Sequence, residues 1–156
     1  MDGDVVSVER VIPAPPERIF ELISDAGKHP VIDGSGTLVN AKPGAPQRLT
    51  LGSTFGMAMK AGIRYSMVNE VIEYEENKRI AWQARPSGAM ARIVGGRIWR
   101  YELEPADGGT RVRESWDVSR DKQRFLLKRG PIPRHTRESI EKTLEKIEQL
   151  VTSDPA

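Results

Sequence analysis

The chain has no cysteine. A disulfide framework, a thiolate metal site and a cysteine nucleophile are therefore excluded, and the absence fits a reducing cytoplasm. Histidine is scarce as well. His29 and His135 are the only two, too few for a histidine-based metal site without help from carboxylates. No run of about 18 apolar residues occurs, so no membrane span is predicted. Met1 is followed by Asp2, Gly3 and Asp4, not by a basic stretch and an apolar core. No signal peptide is read there, and a cytoplasmic location is expected. Neither sign of charge dominates: the net charge is +2, and no nucleic-acid partner is expected. The sharper catalytic motifs are missing too. There is no phosphate loop, no His-Glu-x-x-His, no Gly-x-Ser-x-Gly and no complete Gly-x-Gly-x-x-Gly. No cofactor is implied.

What remains is an ordinary globular composition. Hydrophobic residues make up 38% and charged residues 29% of 156, which suits one domain with a core of its own. A single domain over 1–156 is predicted, with 152–156 as a loose tail.

Val6, Val8, Val11 and Ile12 mark a first strand. Pro13, Pro15 and Pro16 stop it and open a short helix, where Ile19, Leu22 and Ile23 fall at helical spacing. A second short helix is read from about Ala26 to Ile32. A strand-like Thr37–Val39, a loop over Pro43–Pro46 and an edge strand over Leu49–Leu51 follow. Phe55, Met57 and Met59 then alternate with small residues, as on a strand with one buried face. The segment from Arg64 to Tyr74 is mixed: Tyr65, Met67, Asn69 and Val71 share one phase, while Val68, Ile72 and Tyr74 form a competing one. That conflict signals an ambiguous register or a bulge. Ile80, Trp82 and Ala84 share a face, as do Trp99, Tyr101 and Leu103. Ser87 to Gly96 reads as a loop. Asp107-Gly108-Gly109 is a hairpin turn, after which Val112, Glu114, Trp116 and Val118 alternate. About nineteen residues beyond Pro131 and Pro133 carry Ile140, Leu144, Ile147 and Val151 as one apolar stripe on a long helix.

The predicted class is α+β: a curved antiparallel sheet of six to seven strands wrapped around a long C-terminal helix, with two short helices after the first strand. A sheet of this size twists, and one helix does not fill its width. An apolar cavity between the two is expected.

Three stretches resemble a known superfamily. Val11 to Asp25 (VIPAPPERIFELISD) is similar to the opening of START-like, or SRPBCC, proteins. Glu70-Val71-Ile72 with Lys78 to Trp82 is similar to their central hairpin. Trp99 to Leu103 with Gly108 to Val112 is similar to their last one. The superfamily includes polyketide cyclase/dehydrase, lipid-transport and Bet v allergen types. The resemblance implies a helix-grip fold with a hydrophobic cavity, and it carries over no catalytic residue.

The expected cavity lining is Phe55, Met57, Met59, Trp82, Trp99, Tyr101 and Trp116, with Leu144 from the helix. Aromatics on strands equally serve as core. Asn69 and Glu114 are the polar candidates. A buried Glu114 either orients or protonates a ligand, or pairs with an arginine, or turns outward at a bulge. His29 near Asp33 offers an acid/base pair, against the plainer roles of a helix cap or a water-facing side chain. His135 is expected at the surface. The 120–137 segment holds seven lysines and arginines against Asp121. It is either a solvated loop or, around Phe125, Leu126 and Leu127, a weak membrane-surface contact. Three functions are open: carrier or sensor of a lipid-like or polyketide-like small molecule, polyketide cyclase/dehydratase-type enzyme, and protein-interaction module of co-chaperone type. An enzyme calls for at least two polar groups converging with perturbed titration, a carrier for a nearly all-apolar cavity, and a module for a filled core with a large exposed apolar patch.

Overall fold

The computed structural model describes residues 3–36, 38–41, 48–86 and 88–153. The elements in order are β1 (Val5–Ile12), α1 (Pro16–Ile23), a 3₁₀ turn (Ala26–Lys28), α2 (His29–Ile32), β2 (Leu38–Ala41), β3 (Thr54–Ala61), β4 (Ile63–Glu75), β5 (Arg79–Pro86), a second 3₁₀ turn (Gly88–Arg92), β6 (Ile98–Ala106), β7 (Gly109–Asp117), α3 (Arg124–Leu127) and α4 (Ile132–Ser153). The strands form one antiparallel sheet in the order β1-β7-β6-β5-β4-β3-β2, and α4 packs across it. The helix-grip arrangement is therefore present.

Proline starts both ends of the helical layer. Pro16 lies in the first turn of α1, where a missing N–H costs nothing. Pro133 does the same in α4. Ile19, Phe20 and Ile23 of α1 are fully buried because their spacing sets them on one helical face. Phe20 meets Tyr74 edge to face at 5.7 Å.

Cross-strand pairing aligns the inward residues in rows. Val71, Trp82, Trp99 and Trp116 face one another across β4 to β7, with Val6 of β1 at the end. The next row is Ile80, Tyr101, Glu114 and Val8. The outer face takes the charges. Arg100 holds Glu73 at 2.6 Å and Arg79 holds Glu102 at 2.6 Å, so polar alternation ends in ion pairs on the convex side.

Some expectations are corrected. Leu49–Leu51 is no strand. Leu49 is instead a buried loop residue whose N–H donates to the Ser24 carbonyl at 2.7 Å, so a core contact, not sheet pairing, explains its apolarity. The competing phases of β4 are reconciled by a bulge between Val71 and Glu73, which brings Asn69 and Val71 before it and Tyr74 after it to the inner face. Within the Ser87–Gly96 stretch a short 3₁₀ turn forms. Helix α4 continues through Thr152 and Ser153, so the tail does not begin at 152. The Pro43–Pro46 loop and residues 154–156 lie outside the described residues.

Candidate functional site

The two halves of α4 do different work. Leu144, Ile147 and Val151 join Ile12, Ile19 and Val112 in the buried hydrophobic core. The half nearer the N-terminus stands off from the sheet. A cavity of about 790 Å³ opens there, between Ile132, Ser139, Ile140 and Thr143 on one side and the inner faces of β3 to β7 on the other. The 29–38 segment closes a further wall with His29, Ile32, Asp33 and Leu38. Gly34 makes that wall possible: a Cβ there would lie 2.2 Å from the Ser139 carbonyl oxygen, and its N–H donates to Thr143 Oγ1 at 2.9 Å.

Nine of the ten expected residues meet at this cavity: Phe55, Met57 and Met59 of β3, Asn69 of β4, Trp82 of β5, Trp99 and Tyr101 of β6, and Glu114 and Trp116 of β7. Leu144 does not. It is fully buried in the core, while Ile140, one turn nearer the N-terminus, and the adjacent Thr143 face the cavity instead. One apolar stripe serves both core and cavity, and spacing alone does not mark where the helix leaves the sheet.

His29 was undervalued in sequence. It does not face water, but it does cap: it closes the 3₁₀ turn, and its ring bonds the last carbonyl of α1. It is 5% exposed and its ring stacks on Trp82 at 4.7 Å, with Phe55 edge-on at 5.4 Å. Nε2 lies 2.8 Å from the Ile23 carbonyl oxygen. A carbonyl only accepts, so Nε2 carries the proton. Burial lowers the imidazole pKa, only partly opposed by that hydrogen bond and by Asp25 and Asp33, so the ring is neutral. The Asp33 carboxylate is engaged with Ser35 Oγ, the Ser35 N–H and the Leu38 N–H. It ties Ser35 and Leu38 to the end of α2 and makes no hydrogen bond to His29. His135 is exposed, as expected, but stands at the cavity wall.

Glu114 points inward and is 4% exposed. Neither plainer expectation holds: it lies in regular register with Tyr101 and Val8, and no ion pair forms with it among the described residues. The Tyr101 hydroxyl donates to Glu114 Oε1 at 2.9 Å. Oε2 is the one buried side-chain N or O without a hydrogen-bond partner among the described residues. Burial pushes the Glu114 carboxyl up to about 8; the Tyr101 hydrogen bond pulls against this and the Asp33 charge adds to it. Burial, with the neighbouring Glu114, also pushes the Tyr101 phenol well above its ordinary value. The pair therefore holds its protons at neutral pH.

Arg97, on the rim, is fixed by Asp121, whose buried Oδ2 accepts from the Arg97 N–H at 3.0 Å and from Nε at 3.1 Å. Asp121 Oδ1 accepts from the Gln123 N–H. That clamp presents α3, where Leu127 lines the cavity while Phe125 and Leu126 are 70% and 56% exposed. No helix among the described residues is long and apolar enough to cross a membrane, and no metal-holding group of residues occurs among them.

Residues 4–152 match the family model described as polyketide cyclase/dehydrase and lipid transport. Protein Rv0088 of Mycobacterium tuberculosis is 32% identical over 108 residues, or 68% of this chain and 44% of that protein. The chain thus spans less than half the length of the curated relatives it matches. Among solved structures, protein CV1439 of Chromobacterium violaceum superposes with a TM-score of 0.74 at 17% identity, covering 97% of this chain and 99% of that one. Ara h 8.0201 superposes at 0.65 with 15% identity, covering 96% and 98%. DynU16, from the dynemicin biosynthetic locus, superposes at 0.66 with 15% identity, covering 98% of this chain and 49% of the other. At these identities the structural matches speak for the fold.

Proposed function

The chain belongs to the polyketide cyclase/dehydrase and lipid-transport family, and from that premise we propose that it is a carrier or sensor which binds a hydrophobic small molecule of lipid or polyketide type in its cavity. One observation carries this reading: a space of about 790 Å³, within the range of about 300–1,000 Å³ usual for ligand sites, walled by Phe55, Met57, Met59 and three tryptophans. Burying apolar ligand surface there is favourable by about 25 cal/mol per Å², and Asn69, Tyr101 and Glu114 supply orientation. A protein-interaction module with a filled core has no use for such a space.

The test uses a convenient fact. The chain has three tryptophans, and all three line the cavity. Titration with lipophilic compounds should change tryptophan emission, and native mass spectrometry should find the complex. A panel of fatty acids, sterols and aromatic polyketides that leaves both signals unmoved ends the carrier reading.

The enzyme reading is second, favoured by the convergence of Tyr101 and Glu114, both with displaced titration. Cyclisation or dehydration needs a proton donor at the substrate, and this pair holds protons. Analysis of recovered ligand separates the two: unchanged mass and unchanged chromatographic retention support the carrier, while loss of water, or a cyclised isomer of equal mass and shifted retention, supports the enzyme.

We also propose that α3 docks the cavity mouth on an anionic lipid surface. Phe125 and Leu126 are exposed beside Arg124, Lys128 and Arg129, and their neighbour Leu127 lines the cavity. Apolar insertion and cationic attraction act together in such contacts. The protein should float with vesicles containing phosphatidylglycerol but not with pure phosphatidylcholine, and Phe125→Ser with Leu126→Ser should abolish flotation. Equal flotation of the double variant sinks the idea.

A further inference from the structure

Within the proposed binding role, the least explained atom is Glu114 Oε2. It is buried, aimed into a mainly apolar cavity, and without a partner among the described residues, while Oε1 of the same carboxyl accepts from Tyr101. Buried polar atoms are almost always hydrogen-bonded, and an exception calls for a reason. Glu114 has no easy escape. Strand β7 is flanked by β1 and β6, so the residue sits inside the sheet, between Val8 and Tyr101.

We infer that the cavity selects apolar molecules bearing a carbonyl oxygen, and that this oxygen accepts a hydrogen bond from Glu114 Oε2 beside the Tyr101 hydroxyl. The inference rests on the carrier reading and sharpens it to a ligand class.

The proton's place follows from the contacts. Oε1 accepts from the tyrosine, so it acts as the carbonyl oxygen of the acid, and the hydroxyl is Oε2. The groups near it leave Glu114 without a neutralising partner. Tyr101 from β6 is a phenol, Val8 from β1 is apolar, and Asp33 from the turn after α2 is an acid whose charge disfavours ionisation further. His29 from α2 is neutral and bonded to Ile23. On the cavity wall Arg97 is held by Asp121, and from α4 His135 is exposed. The carboxyl is accordingly held protonated through neutral pH, with an ordinary carboxylate pKa moved up to about 8. A neutral acid offers one O–H donor into the cavity, and Oε2 has no acceptor to meet among the described residues. A ketone or ester oxygen is the complementary group. A ligand amine would require the ionised form, which burial disfavours.

Rejection is the stronger half of such a site. A pocket with a committed donor penalises a ligand that leaves it unpaired, so a pure hydrocarbon of equal shape should bind worse than its size predicts.

The experiment measures displacement of N-phenyl-1-naphthylamine by three matched compounds: 2-propionylnaphthalene, 2-propylnaphthalene and 3-(2-naphthyl)propylamine. The quantity read is the affinity ratio of ketone to hydrocarbon, which cancels shared apolar burial. At pH 6.5 this ratio should be about tenfold higher in the unaltered protein than in Glu114→Leu, or about 1.4 kcal/mol. In the unaltered protein it should fall by a similar factor at pH 9.5, where Glu114 ionises and loses its donor. In Glu114→Gln the fall with pH should vanish, because an amide does not titrate there. The pH series needs no variant, so it decides the matter even if Glu114→Leu fails to fold. A ratio indifferent to both pH and Glu114→Leu overturns the inference while leaving the carrier reading intact. Tighter binding of the amine than of the ketone at pH 6.5 also overturns it, by making Glu114 an anionic counter-ion. If neither the fluorescent probe nor any of the three compounds binds, the carrier reading falls and takes the inference with it.

Discussion

Glu114 was readable as inward-facing because it shares a two-residue phase with Val112 and Trp116. Its solitude was not readable, since arginines are plentiful in the chain and no local pattern shows that Arg79 and Arg100 pair on the convex face while Arg97, on the cavity wall, is taken by Asp121. His29 shows the opposite difficulty. It lies in a four-residue helix with Pro30 in its first turn, too short for any periodicity to reveal that its ring stacks on Trp82. The Glu114 pKa has a consequence for stability. The folded value, about 8, exceeds the ordinary value of 4.5, so between these pH values the folded state holds a proton that the unfolded state has lost. Stability from this group is fully present below about pH 4.5 and is lost as pH rises through about 8. Each pKa unit is worth about 1.4 kcal/mol, a cost on the order of a few kcal/mol at the alkaline end. Glu114→Gln removes the titration. Its melting temperature should therefore gain on that of the unaltered protein between pH 5 and pH 8. Thermal melts across that range check this, and a difference that stays constant with pH would contradict the burial of the group.

At the scale of elements, the long helix was legible and its division of labour was not. Ile140, Leu144, Ile147 and Val151 follow one stripe, and all are buried. Yet Ile140 borders the cavity and Leu144 does not, because the helix parts from the sheet between them. The parting depends on where the 29–38 segment inserts, held by Gly34 against Ser139 and Thr143, and no local pattern encodes a contact more than a hundred residues distant. The division makes the stripe unequal under substitution. Leu144→Ala leaves a hole in a close-packed region and should cost about 2–5 kcal/mol. Ile140→Ala enlarges a space that already exists and should cost less, while shifting ligand affinity. Denaturant unfolding of both variants with a ligand titration of each checks the contrast. Equal destabilisation would mean that α4 packs on the sheet uniformly along its length.

For the whole molecule, the magnitude of the cavity decides what it contains. At about 24 cal/mol per Å³, a dry void of this volume would cost about 19 kcal/mol, more than the net stability of about 5–15 kcal/mol that a domain has. A space of about 790 Å³ therefore exists only if solvent or a ligand occupies it. The curved sheet with its single covering helix, foreseeable from six or seven strands and one amphipathic stripe, generates the space; the family's sequence pattern marks the fold but not the contents. Ala84 offers a way to test occupancy. It is buried on β5 opposite Asn69 and borders the cavity. In a packed core, Ala84→Phe would overpack and destabilise by about 1–3 kcal/mol. In a cavity held open for a ligand, the added ring displaces solvent, buries apolar surface and takes the ligand's place. The ligand-free variant should melt no lower than the unaltered protein, while its affinity for an apolar ligand should fall at least about tenfold. The stabilisation a ligand confers, about 2.7 kcal/mol at a hundredfold excess over Kd, should shrink accordingly. A lowered melting temperature with unchanged affinity would mean that ligands bind elsewhere and that this space is core.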